Sequence, residues 1–429
     1  MKIMVEKSLI KQLILEYQEF ATNVKFLPRA IEVDYGHCNV FVGLRRAGKS
    51  YLMYQCIHHM IDEGLSPRSV LFFNFEDDRL PPLTLSDLDT IKLCYEEMFA
   101  EKPVFFLDEL QLVQGWERFA RRLADTGYRV FVTGSNAKML SSEIASTLGG
   151  RYALTEVFPF SFREFLEARG VVLKPNWQYL NNPEIVRAFE EYFVLGGLPE
   201  VVETAPQFKR KWLSSLFDRI YFGDLIARNG IRKQDVLKTL IRKLAETVGE
   251  PLSLNRAAAI VSSTGMSVKP DSVADYLDYM EQSWLTFPIE NFAAKLTEKL
   301  NLKKYYFIDN GFITLFKERN DGALLENLAA ISMRRRFGRD FYYYKQNVEV
   351  DFYVPVDDIA VQVSYSLSDE GTRRRELGAL EAMHRFRPLK KAVILTWDEE
   401  LTLTTENGLQ VSVLPFWKWL ADDQSVSYI

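Results

Sequence analysis

A glycine-rich motif between an apolar run and a helix-forming segment constrains this chain more than any other feature. Val40–Val42 is apolar, Gly43–Ser50 reads GLRRAGKS, and residues 51–60 read YLMYQCIHHM. The motif matches G-x-x-x-x-G-K-[ST], and a phosphate-binding loop requires this order of strand, loop and helix. An ordinary glycine-rich turn is the alternative interpretation. The pattern therefore predicts a phosphate-binding loop within an α/β domain.

The loop residues indicate how a nucleotide would be held. Gly43 and Gly48 allow the backbone to curl, so that loop amides and the helix N-terminus point at phosphate oxygens. Lys49 would reach the β- and γ-phosphates, and Ser50 would ligate Mg²⁺. The predicted nucleotide-binding residues of the loop are Gly43, Arg45, Arg46, Ala47, Gly48, Lys49, Ser50 and Tyr51.

Adjacent carboxylates follow a second apolar run, where Val104–Leu107 precedes Asp108 and Glu109. A strand that delivers two carboxylates at its carboxyl end suits the hydrolysis of a magnesium nucleotide. Asp108 would hold the Mg²⁺ shell, directly or through water, and Glu109 would orient and polarise the attacking water. An acid-rich helix N-terminus is the alternative. The phosphate-binding motif upstream favours the catalytic interpretation.

A third strand candidate, Arg129–Thr133, runs through a glycine into Ser135 and Asn136. Either side chain could sense the γ-phosphate or hold the attacking water. A helix cap before residues 137–140 is an equal alternative, because serine and asparagine are favoured cap residues. Both therefore join the candidate site, Ser135 as a nucleotide contact and Asn136 as a catalytic residue.

A fourth apolar run, Val70–Phe75, completes the predicted sheet. Glu76 or Asp77 after it could lie near the site, because ligands bind at the carboxyl ends of parallel strands. The pattern predicts a doubly wound α/β nucleotide-binding domain over residues 1–155. Its strand candidates lie near residues 38–43, 70–76, 103–108 and 129–134.

The motifs together resemble a family of P-loop ATPases. GLRRAGKS, FFLDE and VTGSN, followed by LGGRY and FPFSFREFL, look like the AAA+-type ATPases of archaea and bacteria whose C-terminal domain has no known function. The resemblance covers nearly the whole chain, and the FPFSFREFL run is its most family-specific part. It implies ATP as the nucleotide and Mg²⁺ as the cofactor.

The same resemblance gives roles to three arginines. The family carries a Gly-Arg pair where Gly150 and Arg151 stand. Such an arginine could contact the γ-phosphate in cis or from a neighbouring subunit, and the second case would require a homo-oligomer. A guanidinium suits the spread charge of the transition state, although a surface arginine is the alternative. Arg45 and Arg46 match the family's basic loop, where one could touch phosphate.

The middle of the chain is predicted to contain a helical lid or connector, residues 156–230, and a winged-helix-like unit, residues 231–292. The candidate recognition helix, Pro270–Trp284, is acidic, and DNA phosphates would repel it. A structural or protein-contact role is therefore favoured over DNA binding. Its acidic residues are Asp271, Asp275, Asp278 and Glu281.

Residues 293–429 are predicted to form a compact α/β domain. The order of elements resembles the restriction-endonuclease-like domains of the PD-(D/E)XK type, and the family supports that likeness. The resemblance implies a helix glutamate at Glu326, a strand aspartate at Asp351, and the first position of an E/Q-x-K motif at Gln362. In such enzymes the carboxylates bind Mg²⁺ and the lysine helps to activate water.

The lysine of that motif is missing, because Ser364 stands in its place and carries no charge. Lys345 on a neighbouring strand could substitute, but nothing in the sequence demands it. A degenerate fold retained for binding or assembly is therefore favoured over an active nuclease. Arginine clusters at 334–336 and 373–375 could still grip a phosphate backbone. Most charge runs, however, are solvated faces.

Composition excludes several classes of protein. The 429 residues include three cysteines and carry a formal net charge of −5. A disulfide framework and a bulk polycation are therefore excluded, and nucleic-acid binding would need a local patch. The N-terminus lacks an apolar signal core, and no apolar stretch reaches the ~18 residues that span a bilayer. A cytoplasmic protein without a membrane partner is expected.

These features predict a Mg²⁺-dependent ATPase of the AAA+ type that couples ATP to a task on DNA or protein. Alternatives are a nucleotide-dependent switch or scaffold with little turnover, and an ATP-gated DNA nuclease. The predicted catalytic residues are Glu109, Arg151 and Asn136, and the predicted Mg²⁺ ligands are Ser50 and Asp108.

Overall fold

The computed structural model describes residues 5–179, 183–317 and 319–422, apart from the side chain of Ser142. The chain forms two compact units, residues 1–158 and 159–429. The first unit ends close to the predicted end of the ATPase core. The outer ends of the first and last predicted domains, residues 1–4 and 423–429, lie outside the described residues.

The N-terminal unit alternates helices and strands. In chain order they are α1 (Lys7–Asn23), β1 (Cys38–Val42), α2 (Lys49–Asp62), β2 (Val70–Asn74), α3 (Leu85–Met98), β3 (Val104–Asp108), α4 (Trp116–Asp125), β4 (Val130–Gly134), α5 (Ser142–Leu148) and β5 (Tyr152–Glu156). Short 3-10 helices lie at Pro67–Ser69, Leu110–Leu112 and Ala137–Leu140. The strands form one parallel sheet in the order β2-β3-β4-β1-β5.

Four of these strands confirm the prediction from the apolar runs. Every residue of β1, β3 and β4 is buried, as expected for a parallel sheet with both faces covered. The sequence does not predict β5. That strand reads YALTE and is only partly buried at the edge of the sheet, so it lacks a continuous apolar run.

The strand order brings the candidate site residues to one edge of the sheet. β4 lies between β1 and β3. The loop after β1, the carboxylate pair at the end of β3 and Ser135 after β4 therefore share the carboxyl edge, where open parallel sheets bind their ligands.

The C-terminal unit is longer and contains two sheets. Its elements are α6 (Phe162–Ala168), α7 (Pro183–Leu195), α8 (Pro199–Glu203), α9 (Pro206–Arg219), α10 (Gln234–Glu246), β6 (Leu252–Ser253), α11 (Leu254–Ser263), α12 (Pro270–Gln282), β7 (Thr286–Glu290), α13 (Leu296–Asn301), β8 (Leu302–Phe307), α14 (Asn310–Phe316), α15 (Asp321–Phe337), β9 (Tyr342–Lys345), β10 (Glu349–Val354), β11 (Ile359–Val363), α16 (Glu370–Phe386), β12 (Lys391–Thr396), β13 (Leu401–Thr404), β14 (Gln410–Pro415) and α17 (Phe416–Ala421). A π-helix, Ile220–Ala227, follows α9, and a 3-10 helix lies at Trp177–Tyr179. The sheet orders are β13-β14-β12-β11-β10-β9 and β6-β8-β7.

From residue 159 onward, the three domains predicted over residues 156–429 lie within this single compact unit. Phe189 of α7, in the predicted lid, packs against Trp397, with 4.9 Å between the ring centroids. Asp309, between β8 and α14, accepts a hydrogen bond of 2.8 Å from the backbone N–H of Gly197. These contacts join the predicted lid to segments far along the chain, and the division into three domains stays a prediction.

The segment predicted as a winged helix contains three helices and a small antiparallel sheet. α10, α11 and α12 precede β7, and β8 pairs with both β7 and β6. The central strand β8 of that sheet lies beyond residue 292, in the next predicted domain. The winged-helix assignment itself stays a prediction.

Candidate functional sites

The predicted phosphate-binding loop connects β1 to α2. Gly48, at the start of α2, has a φ of 95°, and Arg46 has a φ of 63°. Glycine adopts this left-handed region at little cost. Gly43 is needed for another reason, because a Cβ atom there would lie 2.1 Å from the carbonyl oxygen of Val157. The glycines therefore serve the path of the loop and a close approach between backbones.

Lys49 places its ammonium against this loop. Its Nζ donates to the carbonyl oxygens of Gly43, at 3.3 Å, and Leu44, at 3.1 Å. It also lies 3.5 Å from Oε1 of Glu109. The residue is only 4% exposed. A buried cation thus sits among backbone carbonyls and beside a candidate catalytic carboxylate.

Asp108, at the end of β3, accepts two hydroxyl hydrogen bonds. Ser50 Oγ donates to its Oδ2 at 2.8 Å, and Thr133 Oγ1 donates to its Oδ1. Thr133 Oγ1 also accepts the backbone N–H of Glu109 at 2.8 Å. Burial, and then the neighbouring Glu109, raise the pKa of Asp108. The paired hydroxyl and carboxylate are oxygen donors of the kind that Mg²⁺ prefers, so these residues fit the predicted ion.

Glu109 follows in a left-handed backbone conformation, with a φ of 57°, which costs a non-glycine residue roughly 1 kcal/mol or more. Gln111 Nε2 donates to its Oε2 at 2.5 Å and lies 3.4 Å from Ser135 Oγ. Burial acts to raise the pKa of Glu109, but the Lys49 ammonium and the Gln111 amide outweigh it and lower the pKa. Glu109 is therefore a buried carboxylate that is ionised at neutral pH.

The candidate residues after β4 have different surroundings. Ser135 is 1% exposed and is linked to Glu109 through Gln111. Asn136 Oδ1 instead accepts the backbone N–H of Lys138 at 2.9 Å and caps the following 3-10 helix. The structure thus shows the capping alternative for Asn136 and keeps Ser135 as the candidate sensor.

Arg45 forms an ion pair beside the loop. Its Nη1 lies 2.6 and 2.9 Å from the two carboxylate oxygens of Glu76. Glu76 therefore lies next to the loop, as predicted, whereas Asp77 pairs with Arg79. Arg46 is exposed at the loop.

Ala47 and Tyr51 complete the predicted binding residues. Ala47 is fully buried, and its carbonyl oxygen accepts a hydrogen bond of 2.8 Å from Arg29. Tyr51 is 48% exposed and packs the edge of its ring on Tyr54, with 5.4 Å between the centroids. Ala47 thus anchors the loop. Tyr51, the first residue after the loop motif, offers an exposed aromatic face.

Arg151 lies at the opposite edge of the sheet from the loop. The next residue, Tyr152, is level with Cys38 at the start of β1, whereas the loop leaves the far end of that strand. Four strand steps of about 3.3 Å separate the two edges by about 13 Å. Arg151 forms an ion pair with Asp125 of α4 instead. The structure therefore does not bring Arg151 to the loop of its own chain, and its catalytic role stays a prediction.

In the C-terminal unit, the residues implied by the likeness to nucleases surround a buried lysine. Nζ of Lys304, on β8, lies 3.3 Å from Glu326 and 3.8 Å from Asp351. It also lies 2.9 Å from Glu349. Gln362 Oε1 accepts the backbone N–H of Asp351 at 2.7 Å. The fold thus brings Glu326, Asp351 and Gln362 together and adds Lys304 and Glu349.

The two positions considered for the missing lysine have other partners. Ser364 Oγ donates to the carbonyl oxygen of Ser366 at 3.0 Å, and Lys345 Nζ lies 2.6 Å from Glu349. Burial acts to lower the pKa of Lys304, but the surrounding carboxylates outweigh it and raise the pKa. The surrounding acids therefore favour the charged form of Lys304.

The arginine clusters make contacts within the protein. Arg335 donates to a backbone carbonyl, and Arg336 lies 4.2 Å above the ring of Trp419. Arg375 pairs with Glu376 at 2.7 Å. Contact of these clusters with a phosphate backbone stays a hypothesis.

Comparison with known proteins identifies the family. Residues 36–166 match a family model described as an AAA domain, and residues 186–321 match a domain of unknown function (DUF8612). The uncharacterized protein MJ1544 of Methanocaldococcus jannaschii is 31% identical in an alignment 430 positions long. The alignment covers 96% of this chain and 95% of that protein. The chain belongs to the family of this archaeal protein. An uncharacterized protein of Haemophilus influenzae is 29% identical over 78% of this chain and 84% of its own length.

A similar solved structure is the Walker-type ATPase PABY2304 of Pyrococcus abyssi. It is 15% identical, covers 72% of this chain and 95% of its own, and aligns with a TM-score of 0.41.

The matches assign the N-terminal unit to the AAA+ P-loop ATPases, as the sequence motifs predict. The AAA match spans β1 to β5 with the loop between β1 and α2. The match to the domain of unknown function runs across both predicted boundaries, at 230 and 292. The winged-helix and nuclease-like assignments stay predictions. Within the described ranges, no helix has the length and apolar character needed to cross a bilayer.

Proposed function

We propose that this protein is a Mg²⁺-dependent ATPase of the AAA+ type that couples ATP binding and hydrolysis to a task on DNA or on another protein. The observation that carries the proposal is the convergence of Lys49, Ser50, Asp108 and Glu109 at one edge of the N-terminal sheet. Nucleotide hydrolysis needs a phosphate cradle, donors for Mg²⁺ and a group that orients water. The choice of ATP rests on the AAA match.

In this proposal, the loop amides and Lys49 bind the phosphates. The Lys49 ammonium exchanges its contacts with the carbonyl oxygens of Gly43 and Leu44 for phosphate oxygens. Ser50 and Asp108 hold Mg²⁺, which neutralises charge on the phosphate oxygens when it is bound.

Glu109 accepts the proton of the attacking water. The water oxygen forms a bond to the γ-phosphorus as the bond to the β–γ bridging oxygen breaks, and ADP leaves. Gln111 fixes the carboxylate in place, because its amide joins Glu109 to Ser135. A catalytic role for Arg151 requires a neighbouring copy of the chain, since Arg151 lies at the far edge of its own sheet.

Replacing Lys49 by Ala is expected to weaken ATP binding by roughly 10- to 100-fold, because a charge-assisted contact to phosphate is worth about 1.5–3 kcal/mol. Calorimetric titration with Mg²⁺ and a non-hydrolysable ATP analogue measures the effect. Lys102→Ala, at the amino end of β3, removes the same type of side chain away from the loop and should bind normally.

Unchanged affinity of the Lys49→Ala protein would contradict the proposed site. The wild-type protein should release phosphate from ATP with Mg²⁺ and stop when the ion is chelated. Tight binding of ATP without turnover, alone or with DNA, would replace the ATPase by a nucleotide-dependent switch.

Replacing Gln111 by Ala is expected to lower kcat roughly tenfold and to leave KM for ATP nearly unchanged, because Gln111 acts on Glu109 rather than on the nucleotide. Leu112→Ala, in the same 3-10 helix, is the matched control, since Leu112 is 50% exposed. Steady-state kinetics on both variants separates the two constants. A rise in KM at constant kcat would show that Gln111 affects binding instead.

A further inference from the structure

A buried lysine lies at the centre of the C-terminal carboxylates. Lys304 is 1% exposed, and its Nζ meets Glu326 of α15 together with Glu349 and Asp351 of β10. An unpaired buried ammonium is strongly disfavoured, so these acids are what allow Lys304 to be buried. The lysine comes from the small sheet, whereas the strand acids belong to the large sheet.

Each of these carboxylates also has a second partner within the protein, and Lys304 and Tyr306 share one oxygen of Glu326. The second partners are the Tyr306 hydroxyl for Glu326, at 2.7 Å, the Lys345 ammonium for Glu349, at 2.6 Å, and the Val363 backbone N–H for Asp351, at 2.9 Å. These bonds hold the three partly exposed carboxylates around the buried ammonium of Lys304.

Other groups of the protein pack closely against Glu326 and Asp351. A Cβ atom at Gly249, which has a φ of 82°, would lie 2.3 Å from Oε2 of Glu326. On another side, the Gln362 amide accepts the backbone N–H of Asp351 at 2.7 Å and donates to Glu376, also at 2.7 Å. Gln362 is therefore tied to the protein at both ends of its amide.

The Mg²⁺ that a restriction-endonuclease-like site implies does not fit this centre. The ion needs carboxylate oxygens at about 2.0–2.1 Å in octahedral geometry. Here the carboxylates point at the Lys304 ammonium instead, so a metal ion would have to displace the ammonium from them. Among the residues described, no group of three or more His, Cys, Asp and Glu side chains is arranged to hold a metal ion.

We propose that Lys304 is the resident cation of this centre and takes the place of a divalent metal. The centre joins β8 of the small sheet to α15 and to β10 of the large sheet, and it does not support metal-dependent cleavage of nucleic acid. The competing arrangement makes Lys304 the missing lysine of a metal-dependent nuclease, with Glu326 and Asp351 as ligands. The proposal is independent of ATP hydrolysis in the N-terminal unit.

Binding of Mn²⁺ to the full, nucleotide-free chain distinguishes the two arrangements. Electron paramagnetic resonance of free Mn²⁺ counts the ions bound by wild-type and Asp351→Asn proteins. The phosphate-binding loop is the same in both, so a difference reports the C-terminal centre. Equal numbers are expected. One more ion on the wild-type protein would overturn the proposal, as would nicking of supercoiled plasmid that Asp351→Asn abolishes.

Lys304→Met should open the centre to a metal. The variant is expected to bind one more Mn²⁺ than Lys303→Met, a matched change on the same strand at a side chain that is 22% exposed. Adding Asp351→Asn should remove that gain. A folded Lys304→Met protein that binds no further Mn²⁺ would overturn the proposal. If Lys304→Met does not fold, the comparison of wild type with Asp351→Asn alone decides.

Discussion

A protein in which Gln replaces Glu109 should bind ATP as the wild type does and release phosphate at least about 100-fold more slowly, because a general base contributes about 100- to 10,000-fold to such a step. The amide has nearly the shape of the carboxylate but cannot accept the proton of water. Gln111 can still donate to its oxygen, as it does to Oε2 of Glu109. Single-turnover kinetics with saturating enzyme isolates the chemical step.

Glu76→Gln is the matched control for this experiment. It makes the same chemical change at a carboxylate beside the loop, where Glu76 pairs with Arg45 and is 35% exposed. A partly exposed ion pair is worth little, so kcat should change by less than about fivefold. Equal rates of phosphate release from the wild-type and Glu109→Gln proteins would remove Glu109 from the mechanism. Loss of ATP binding would instead show that the carboxylate supports the loop.

The parts of the fold that the sequence predicts are those governed by local pattern. β1, β3 and β4 are buried along their whole length, so each appears in the sequence as an apolar run. Such a run predicts a strand without knowledge of the neighbouring strands. β5 has no such apolar run, since its place at the sheet edge leaves two of its residues exposed. The boundary predicted at 230 rests on local sequence alone, whereas contacts such as the hydrogen bond between Gly197 and Asp309 join segments far apart in the chain.

The candidate sites likewise contain some residues that local sequence predicts and others that only the fold brings into place. Lys49 and Asp108 belong to motifs whose spacing alone predicts a nucleotide-binding site. Thr133 gives only one weak signal, a polar residue at the end of an apolar strand, and its contacts come from the neighbouring strand β3. Lys304 stands beside Lys303 in the sequence, and only the path of β8 buries one and leaves the other partly exposed. The spacing of a motif therefore cannot predict a cation that a strand distant in sequence supplies.

Replacing Gly43 by Ala should destabilise the N-terminal unit by about 3 kcal/mol or more, the upper end of the cost of overpacking. The added methyl carbon would lie 2.1 Å from the Val157 carbonyl oxygen. Neither backbone moves easily, since Val157 N–H is bonded to Val42 O at 2.6 Å and Gly43 N–H to Gly134 O at 3.4 Å. A clash between two backbones, unlike one between side chains, has no rotamer that relieves it. Urea unfolding followed by circular dichroism measures the loss.

Gly36→Ala serves as the control in the same unit. A Cβ atom there would lie 3.3 Å from Oδ1 of Asp34, the end of an exposed side chain that can move aside, so stability should change by less than about 0.5 kcal/mol. If Gly43→Ala is as stable as Gly36→Ala yet binds ATP weakly, the glycine serves the phosphates, as the motif alone suggests. If Gly43→Ala unfolds early and a bound ATP analogue restores part of its stability, the glycine is required by the crossing of β1 with the segment after β5. The contact with Val157 favours that second result, and it makes the first glycine of the motif a packing requirement of the five-stranded sheet.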